Sequence, residues 1–308
     1  MNKTVTPVNG MEILILEPLI LITAVGGLVG NAAVLWLLGF CLQRNPFSVY
    51  ILNLAGADFL CLCSLIIHSL IKFSGFSYTT PYFIHYFLHV VILFSYIAGL
   101  SLLSAVSTKR CLSALYPIWY HCHQPKHLPA VICALIWSMS LFLSILEWNF
   151  CISMIMHSKV NWCRNINFFL ATWLIFLFVV LCGSSLALLV KMFCGSQKKK
   201  LTSFYVTIVL TVLIFLLCGL PFGIYYFLLF WIPRTSIKLH YPWFLLLSCF
   251  NSSANPIIYF FVGFFRQRRL QPTLKKVLQR ALQDIPKMDE PGGNLPQESV
   301  ERSGSNEM

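Results

Sequence analysis

The chain has 308 residues, of which 58% are apolar and only 10% are charged, with a formal net charge of +12. This composition is typical of a polytopic membrane protein and excludes an ordinary soluble domain. The basic residues lie between apolar segments and after the last one, so their placement does not indicate nucleic-acid binding.

Apolar segments long enough to cross a bilayer occur along most of the chain. They predict helices over residues 13–40, 47–71, 84–115, 127–150, 166–193, 201–232 and 239–262. The predicted fold is an all-α membrane protein, a seven-transmembrane helix bundle with a short amphipathic eighth helix. The first segment is too long for the apolar region of a signal peptide, so we expect it to be retained.

The basic residues also predict the orientation of the chain. Sixteen of the 22 Lys and Arg residues lie on the side of the membrane that holds the C-terminus. The positive-inside rule therefore places the C-terminus in the cytoplasm and the N-terminus outside, in a multi-pass protein of the plasma membrane. Asn2 begins the glycosylation sequence Asn-Lys-Thr on the outer side, which predicts a glycan there.

Four regions follow from this pattern. Residues 1–12 form an extracellular N-terminus, and residues 13–262 form the transmembrane domain. Residues 263–283 space their apolar side chains by three and four with Arg and Lys between, which predicts an amphipathic helix on the inner leaflet. Residues 284–308 are rich in Pro, Gly, Ser and Glu, which predicts a disordered cytoplasmic tail.

The seventh segment carries a polar cluster from Asn251 to Asn255, followed by Pro256. Polar groups at bilayer depth need partners from other helices because lipid offers no hydrogen bonds. Four polar residues of the first three segments are the candidate partners: Asn31, Asp58, Ser95 and Ser104. Pro256 removes a backbone donor, which predicts a kink in this helix.

These residues resemble the signature of the rhodopsin-like G protein-coupled receptors. Asn255-Pro256-x-x-Tyr259 matches its seventh helix, and Arg110 matches the arginine that ends its third. Two longer motifs are similar to motifs of the Mas-related receptors: Tyr50-Ile51-Leu52-Asn53-Leu54 and Cys218-Gly219-Leu220-Pro221-Phe222-Gly223. The resemblance extends over residues 12–283, nearly the whole chain.

The resemblance implies a receptor without catalytic activity and without a cofactor. The expected ligand is extracellular, either a basic peptide or a small cationic molecule. The expected partners are the lipid bilayer, a heterotrimeric G protein of the phospholipase-activating class, arrestin and a receptor kinase. Family members act in nociceptive and itch neurons or in mast cells, which suggests the same setting here.

Two other classes of protein compete with the receptor interpretation. A membrane transporter is the alternative, but transporters of this size usually have repeated halves, and no repeat is evident. An intramembrane hydrolase is disfavoured because Gly183-Ser184-Ser185 lacks the Gly-x-Ser-x-Gly setting of a nucleophilic serine.

Two carboxylates, Asp58 and Glu147, are predicted to lie inside membrane helices, where an ionisable group indicates a functional site. Asp58 matches the family position that binds sodium with polar residues of the third and seventh helices. The matching residues here include Asn31, Asn251, Ser252 and Asn255, but Gly99 replaces the serine of the third helix. The alternative is an Asp58 that only hydrogen-bonds to the seventh helix.

Glu147 lies near the outer end of the fourth segment. In similar Mas-related receptors the carboxylate at this position pairs with cationic ligands, whereas the alternative is a carboxylate exposed to water. A second family carboxylate falls at Asn167, so one positive group on the ligand should suffice. Several aromatic residues are expected to line the site or, alternatively, to form an interfacial belt: Trp148, Trp162, Tyr226 and Trp243.

Cys151 and Cys163 are the two cysteines on the oxidising outer side. The resemblance implies that they form a disulfide from the fourth helix to the fifth. A loop tied there should not cover the pocket, so we expect a shallow, open ligand site.

The resemblance also implies an activation switch at Arg110, with Tyr205 and Tyr259 as its partners in the active state. Lys109 stands where relatives carry an acidic partner for this arginine, and repulsion between the two cations predicts ligand-free signalling. Gly219 replaces the tryptophan of the family's sixth helix, which predicts a void and a soft bend beside Pro221. Asn255, Pro256 and Tyr259 complete the predicted switch.

Overall fold

The computed structural model describes residues 7–41, 46–74, 81–116, 125, 127–152, 160–194, 209–231 and 241–265. The predictions for Asn2, for Tyr205, for residues 266–283 and for the tail lie outside these ranges. The same holds for the side chain of Tyr226.

The described residues form seven helices. The first three are α1, Pro7–Trp36 with a π-helical turn at Leu37–Cys41, α2, Pro46–Phe73, and α3, Tyr82–Leu115. Next come α4, Leu128–Glu147 with a π-helical turn at Trp148–Ile152, and α5, Val160–Cys194. Helix α6 runs over residues 209–231 with a π-helical turn at Phe215–Gly219, and α7 is Tyr241–Phe265. Among the described residues, α1 to α5 are long and apolar enough to cross a membrane.

Helix α3 lies at the centre of the bundle. About 72% of its most apolar stretch is buried, against 28% for each of α1, α4 and α5. The outer helices leave much of their apolar surface exposed, as expected where lipid rather than water surrounds the protein. The described residues are thus organised as one layer of helices around α3.

Close approach between α1 and α7 depends on glycine. A Cβ atom built on Gly27 would overlap the Ser253 side chain, and one on Gly30 would lie 3.0 Å from Pro256 Cβ. Small residues allow helix backbones in a membrane to pack this tightly.

Helix α4 is joined to α2 by a hydrogen bond of 2.9 Å from Trp137 Nε1 to Asn53 Oδ1.

The predicted helices are confirmed, with displaced ends. Helices α2, α3, α4 and α7 begin within two residues of the prediction, whereas α1 and α5 begin six residues earlier. Their first turns contain polar residues such as Asn9 and Asn161. Hydropathy marks the bilayer-crossing part of a helix, and these two helices continue beyond it.

Candidate functional site

A polar seam joins α7 to α1 and α2, as predicted. Asn255 Nδ2 donates a hydrogen bond of 2.7 Å to Asp58 Oδ2. Asn31 Nδ2 donates to the carbonyls of Ser252, at 3.1 Å, and of Gly27, at 3.0 Å. The side chains of these polar residues are all at least 95% buried: Asn31, Asp58, Ser252 and Asn255.

The hydroxyl groups of Ser95 and Ser104 donate their hydrogen bonds to residues outside this seam. Ser95 donates to the Val91 carbonyl of its own helix at 2.7 Å, and Ser104 donates to the Leu177 carbonyl of α5 at 3.2 Å. A serine in a helix readily satisfies its hydroxyl with a carbonyl one turn earlier, as Ser95 does. Of the four candidate partners, Asn31 and Asp58 therefore bond to α7, and Ser95 and Ser104 do not.

The site around Asp58 lacks, at Gly99, the side-chain oxygen that the family's sodium site takes from the third helix. A Cβ on Gly99 would lie 3.5 Å from Asp58 Oδ1, so the position facing the carboxylate on α3 has no oxygen ligand. The other carboxylate oxygen accepts the Asn255 amide N–H. This geometry supports the alternative in which Asp58 hydrogen-bonds to α7.

Glu147 ends α4 with its side chain turned into the bundle. It is only 5% exposed, which excludes the alternative of a water-exposed carboxylate. Its Oε2 lies 3.9 Å from His89 Nδ1 on α3. A carboxylate held in a poorly hydrated setting attracts a cation more strongly than one on an open surface.

The predicted aromatic residues lie in different settings. The Trp148 ring meets those of Phe83 and Tyr86 on α3 edge to face, with centroids 6.2 Å and 6.1 Å away. Trp162 is 57% exposed and stacks on Phe150. Trp243 on α7 is 51% exposed, which suits an interfacial residue as well as a ligand contact.

The sequence analysis missed two residues beside Glu147. The His89 ring stacks on Tyr241 of α7 with centroids 6.2 Å apart, so His89 connects α4 to α7 through α3. Tyr241 also packs against Tyr225 of α6, at 5.2 Å. A histidine inside an apolar segment was the available signal for this cluster.

The prediction that Asp58 and Glu147 are the two carboxylates inside the membrane helices is wrong, because Glu17 of α1 is a third. Glu17 is 1% exposed, and its Oε1 lies 3.2 Å from Lys72 Nζ at the end of α2. The two side chains form an ion pair between α1 and α2 in which the carboxylate is buried and the Lys72 side chain is partly exposed.

The structure contains the predicted disulfide, Cys151–Cys163, with Cα atoms 4.8 Å apart. It joins the π-helical turn after α4 to the first turn of α5. Asn167 is buried beside it, with Nδ2 3.7 Å from Cys163 Sγ. The enclosed residues 153–159 lie outside the described ranges, so the open shape of the ligand site stays a prediction.

Replacing either cysteine with serine should lower the free energy of unfolding by about 3 kcal/mol, because the closed loop restrains the unfolded chain. The double variant should be no less stable than either single variant, since both remove the same bond. Thermal unfolding of the purified protein measures this, with Cys63→Ser, a half-buried free thiol of α2, as the control. Additive losses in the double variant would contradict the prediction.

The inner end of α3 lines a small cavity of about 20 Å³ between α3, α5, α6 and α7. Arg110 and Tyr259 both line it, and their role as a switch pair stays a prediction. The guanidinium carbon of Arg110 lies 5.1 Å from the centre of the Phe47 ring on α2, an aromatic contact that sequence analysis missed.

Lys109 points to α2 rather than towards Arg110. Its Nζ donates to the Pro46 carbonyl at 3.1 Å and lies 4.7 Å from the centre of the Tyr50 ring. The lysine is 6% exposed. These contacts join α3 to α2, and the ligand-free signalling expected from Lys109 stays a prediction.

Lys109→Met should lower the unfolding free energy by about 1.5–3 kcal/mol, the range for a hydrogen bond to a charged group. Lys109→Glu should lower it further because a carboxylate would face the Pro46 carbonyl. Lys191 is a matched control, since its ammonium also binds a carbonyl, that of Ala114, but is exposed. Lys191→Met should leave thermal stability nearly unchanged, and equal losses for the two Met variants would contradict this role.

Gly219 is buried and tightly packed, so the predicted void is absent at this position. A Cβ there would lie 3.2 Å from Asn251 Oδ1 and 3.3 Å from Leu100 Cδ2. A π-helical turn, Phe215–Gly219, ends two residues before Pro221, and the bend there stays a prediction.

The serines of the Gly-Ser-Ser motif have a structural partner. The Ser107 hydroxyl of α3 lies 2.8 Å from that of Ser184 and 3.0 Å from that of Ser185. These hydrogen bonds connect α3 to α5 next to the Arg110 cavity, which accounts for the motif without a hydrolase.

Comparison with known proteins agrees with this arrangement. Residues 30–259 match the 7 transmembrane receptor (rhodopsin family). The chain is 56% identical to Mas-related G-protein coupled receptor member X2 of Rhinopithecus bieti, over 96% of this chain and 91% of that protein. It is 54% identical to human Mas-related G-protein coupled receptor member X1, over 99% of this chain and 97% of that protein. It is 55% identical to human member X2, over 96% and 91%.

Proposed function

The chain belongs to the Mas-related family of rhodopsin-like G protein-coupled receptors, and from this premise we propose that it is a receptor for a cationic ligand anchored by Glu147. Family membership gives a multi-pass membrane receptor with an extracellular ligand and a G protein partner, and it disfavours the transporter. The observation that carries the ligand class is the buried Glu147 carboxylate at the outer end of α4, beside His89.

A basic peptide or a small amine suits this site. An ionised carboxylate at this depth is costly without a compensating cation, and a ligand cation supplies one. The charge-assisted contact is stronger here than on an open surface because the site is poorly hydrated. Asn167 lies against the disulfide and contributes no second charge, so a single positive group on the ligand meets the requirement.

We further propose that the receptor couples to G proteins of the phospholipase-activating class, with arrestin and a receptor kinase as later partners. The N-terminus is extracellular in this proposal, which places Glu147 in the outer half of the membrane. The resemblance to the family alone supports a role in nociceptive or itch neurons or in mast cells.

A calcium-mobilisation screen of basic peptides, amphipathic peptides and small amines tests the proposal. Active compounds should also stimulate nucleotide exchange on a purified phospholipase-activating G protein, and cells without that class of α subunit should lose the calcium response. Activity confined to neutral or anionic compounds would contradict the ligand class. Exchange on another class of G protein alone would contradict the coupling.

A further inference from the structure

The middle of α6 is attached to α3 by one tyrosine. Tyr96 of α3 is 4% exposed, and its hydroxyl donates a hydrogen bond of 2.6 Å to the Gly219 carbonyl. The hydroxyl also lies against Gly223, one turn further along α6. It is thus packed between two consecutive turns of α6, at the end of the π-helical turn.

Two glycines make room for this contact. A Cβ on Gly223 would lie 3.3 Å from Tyr96 Oη and 2.8 Å from Leu174 Cδ1 of α5. A larger side chain at Gly219 would meet Asn251 and Leu100, as described above. Glycine at both positions lets the tyrosine reach the backbone of α6. A side chain at either position would occupy the space around this contact.

An unbroken series of side-chain contacts connects Tyr96 with the proposed ligand site. The Tyr96 ring meets Phe222 edge to face at 4.7 Å, and Phe222 lies 6.4 Å from Tyr241. Tyr241 stacks on His89, whose Nδ1 lies 3.9 Å from Glu147. A shift of α7 or α3 at the outer end would therefore change the packing around the contact between Tyr96 and α6.

We propose that Tyr96 is a positioning residue for activation, whose hydroxyl restrains α6 against α3 until the receptor is activated. The carbonyl it binds lies at the π-helical turn, a local irregularity that often marks a functional hinge. Loss of one such hydrogen bond shifts a two-state equilibrium about fivefold. This inference rests on membership of the receptor family and is independent of the ligand class and of the type of G protein.

Distance measurement on the full-length receptor in lipid nanodiscs, without ligand or G protein, tests the proposal. Spin labels are introduced through unnatural amino acids at Ala130 of α4 and Leu210 of α6, both exposed at the inner ends of their helices. Tyr96→Phe keeps the ring and removes the hydroxyl. The ratio of long to short label distances should rise about fivefold relative to the unsubstituted receptor.

Gly223→Ala provides a second route to the same result, since the added methyl group presses on Tyr96 and Leu174. It should also shift α6 outward. Ser140→Ala is the control because it removes a buried hydroxyl that bonds only one turn back, to the Ile136 carbonyl at 2.8 Å within α4, and its distances should match those of the unsubstituted receptor. Unchanged distances for Tyr96→Phe, with lower thermal stability, would reduce Tyr96 to a packing residue and overturn the proposal.

Discussion

Glu147→Gln is expected to weaken a cationic agonist at least tenfold, which corresponds to about 1.4 kcal/mol of binding free energy. Glutamine keeps the size of the side chain and its capacity for hydrogen bonds, so only the charge is removed. The carboxylate is 5% exposed, and a charge pair in such a setting is screened far less than one at the surface.

Dose–response curves for a cationic agonist and its neutral analogue, on both receptors, measure this effect. The neutral analogue should act equally on both, and surface expression should be unchanged. Asn167→Asp is the complementary variant, because it adds a carboxylate at the first turns of α5 and should favour ligands with two positive groups. Equal potency of the cationic agonist on the two receptors would remove Glu147 from the binding site.

The number of helices and their main polar contact could be predicted from the sequence for simple reasons. Bilayer thickness fixes a length of apolar chain, and a buried carboxylate such as Asp58 must find a donor among few polar residues. Asn255 was among those few. Hydroxyl groups are harder to assign, because Ser95 can bond to a carbonyl of its own helix whichever way that helix faces, whereas Ser104 bonds to a carbonyl of α5.

The errors share a physical cause, the direction in which a side chain leaves its helix. Lys109 and Arg110 are neighbours in sequence, yet each has its own contact at the start of α2, Lys109 with the Pro46 carbonyl and Arg110 with the Phe47 ring. Consecutive residues of a helix do not face one another. The same limitation hid His89, whose position beside Glu147 depends on how α3 and α4 are rotated.

The void predicted at Gly219 illustrates a different limit. A glycine in place of a large residue leaves space only if the neighbours stay where they are. Here Asn251, Leu100 and Tyr96 approach the α6 backbone instead. Close packing is the rule in protein interiors, so a missing side chain more often indicates a close backbone contact than a cavity.

The Glu17–Lys72 pair predicts unequal effects of removing its two members. Breaking a buried ion pair costs about 3–5 kcal/mol when it leaves an uncompensated charge. Lys72→Met leaves such a charge, since Glu17 is 1% exposed, and should approach the upper part of this range. Glu17→Gln leaves Lys72, whose side chain is 27% exposed and long enough to reach water, so its effect should be clearly smaller.

The double variant Glu17→Gln/Lys72→Met provides the decisive comparison, because it removes both charges and leaves none buried. It should be more stable than Lys72→Met alone, which is possible only if the two residues interact directly. Thermal unfolding of the four purified proteins completes the double-mutant cycle. Two single effects of equal size that add in the double variant would show that the two charges are not coupled, and would contradict the prediction.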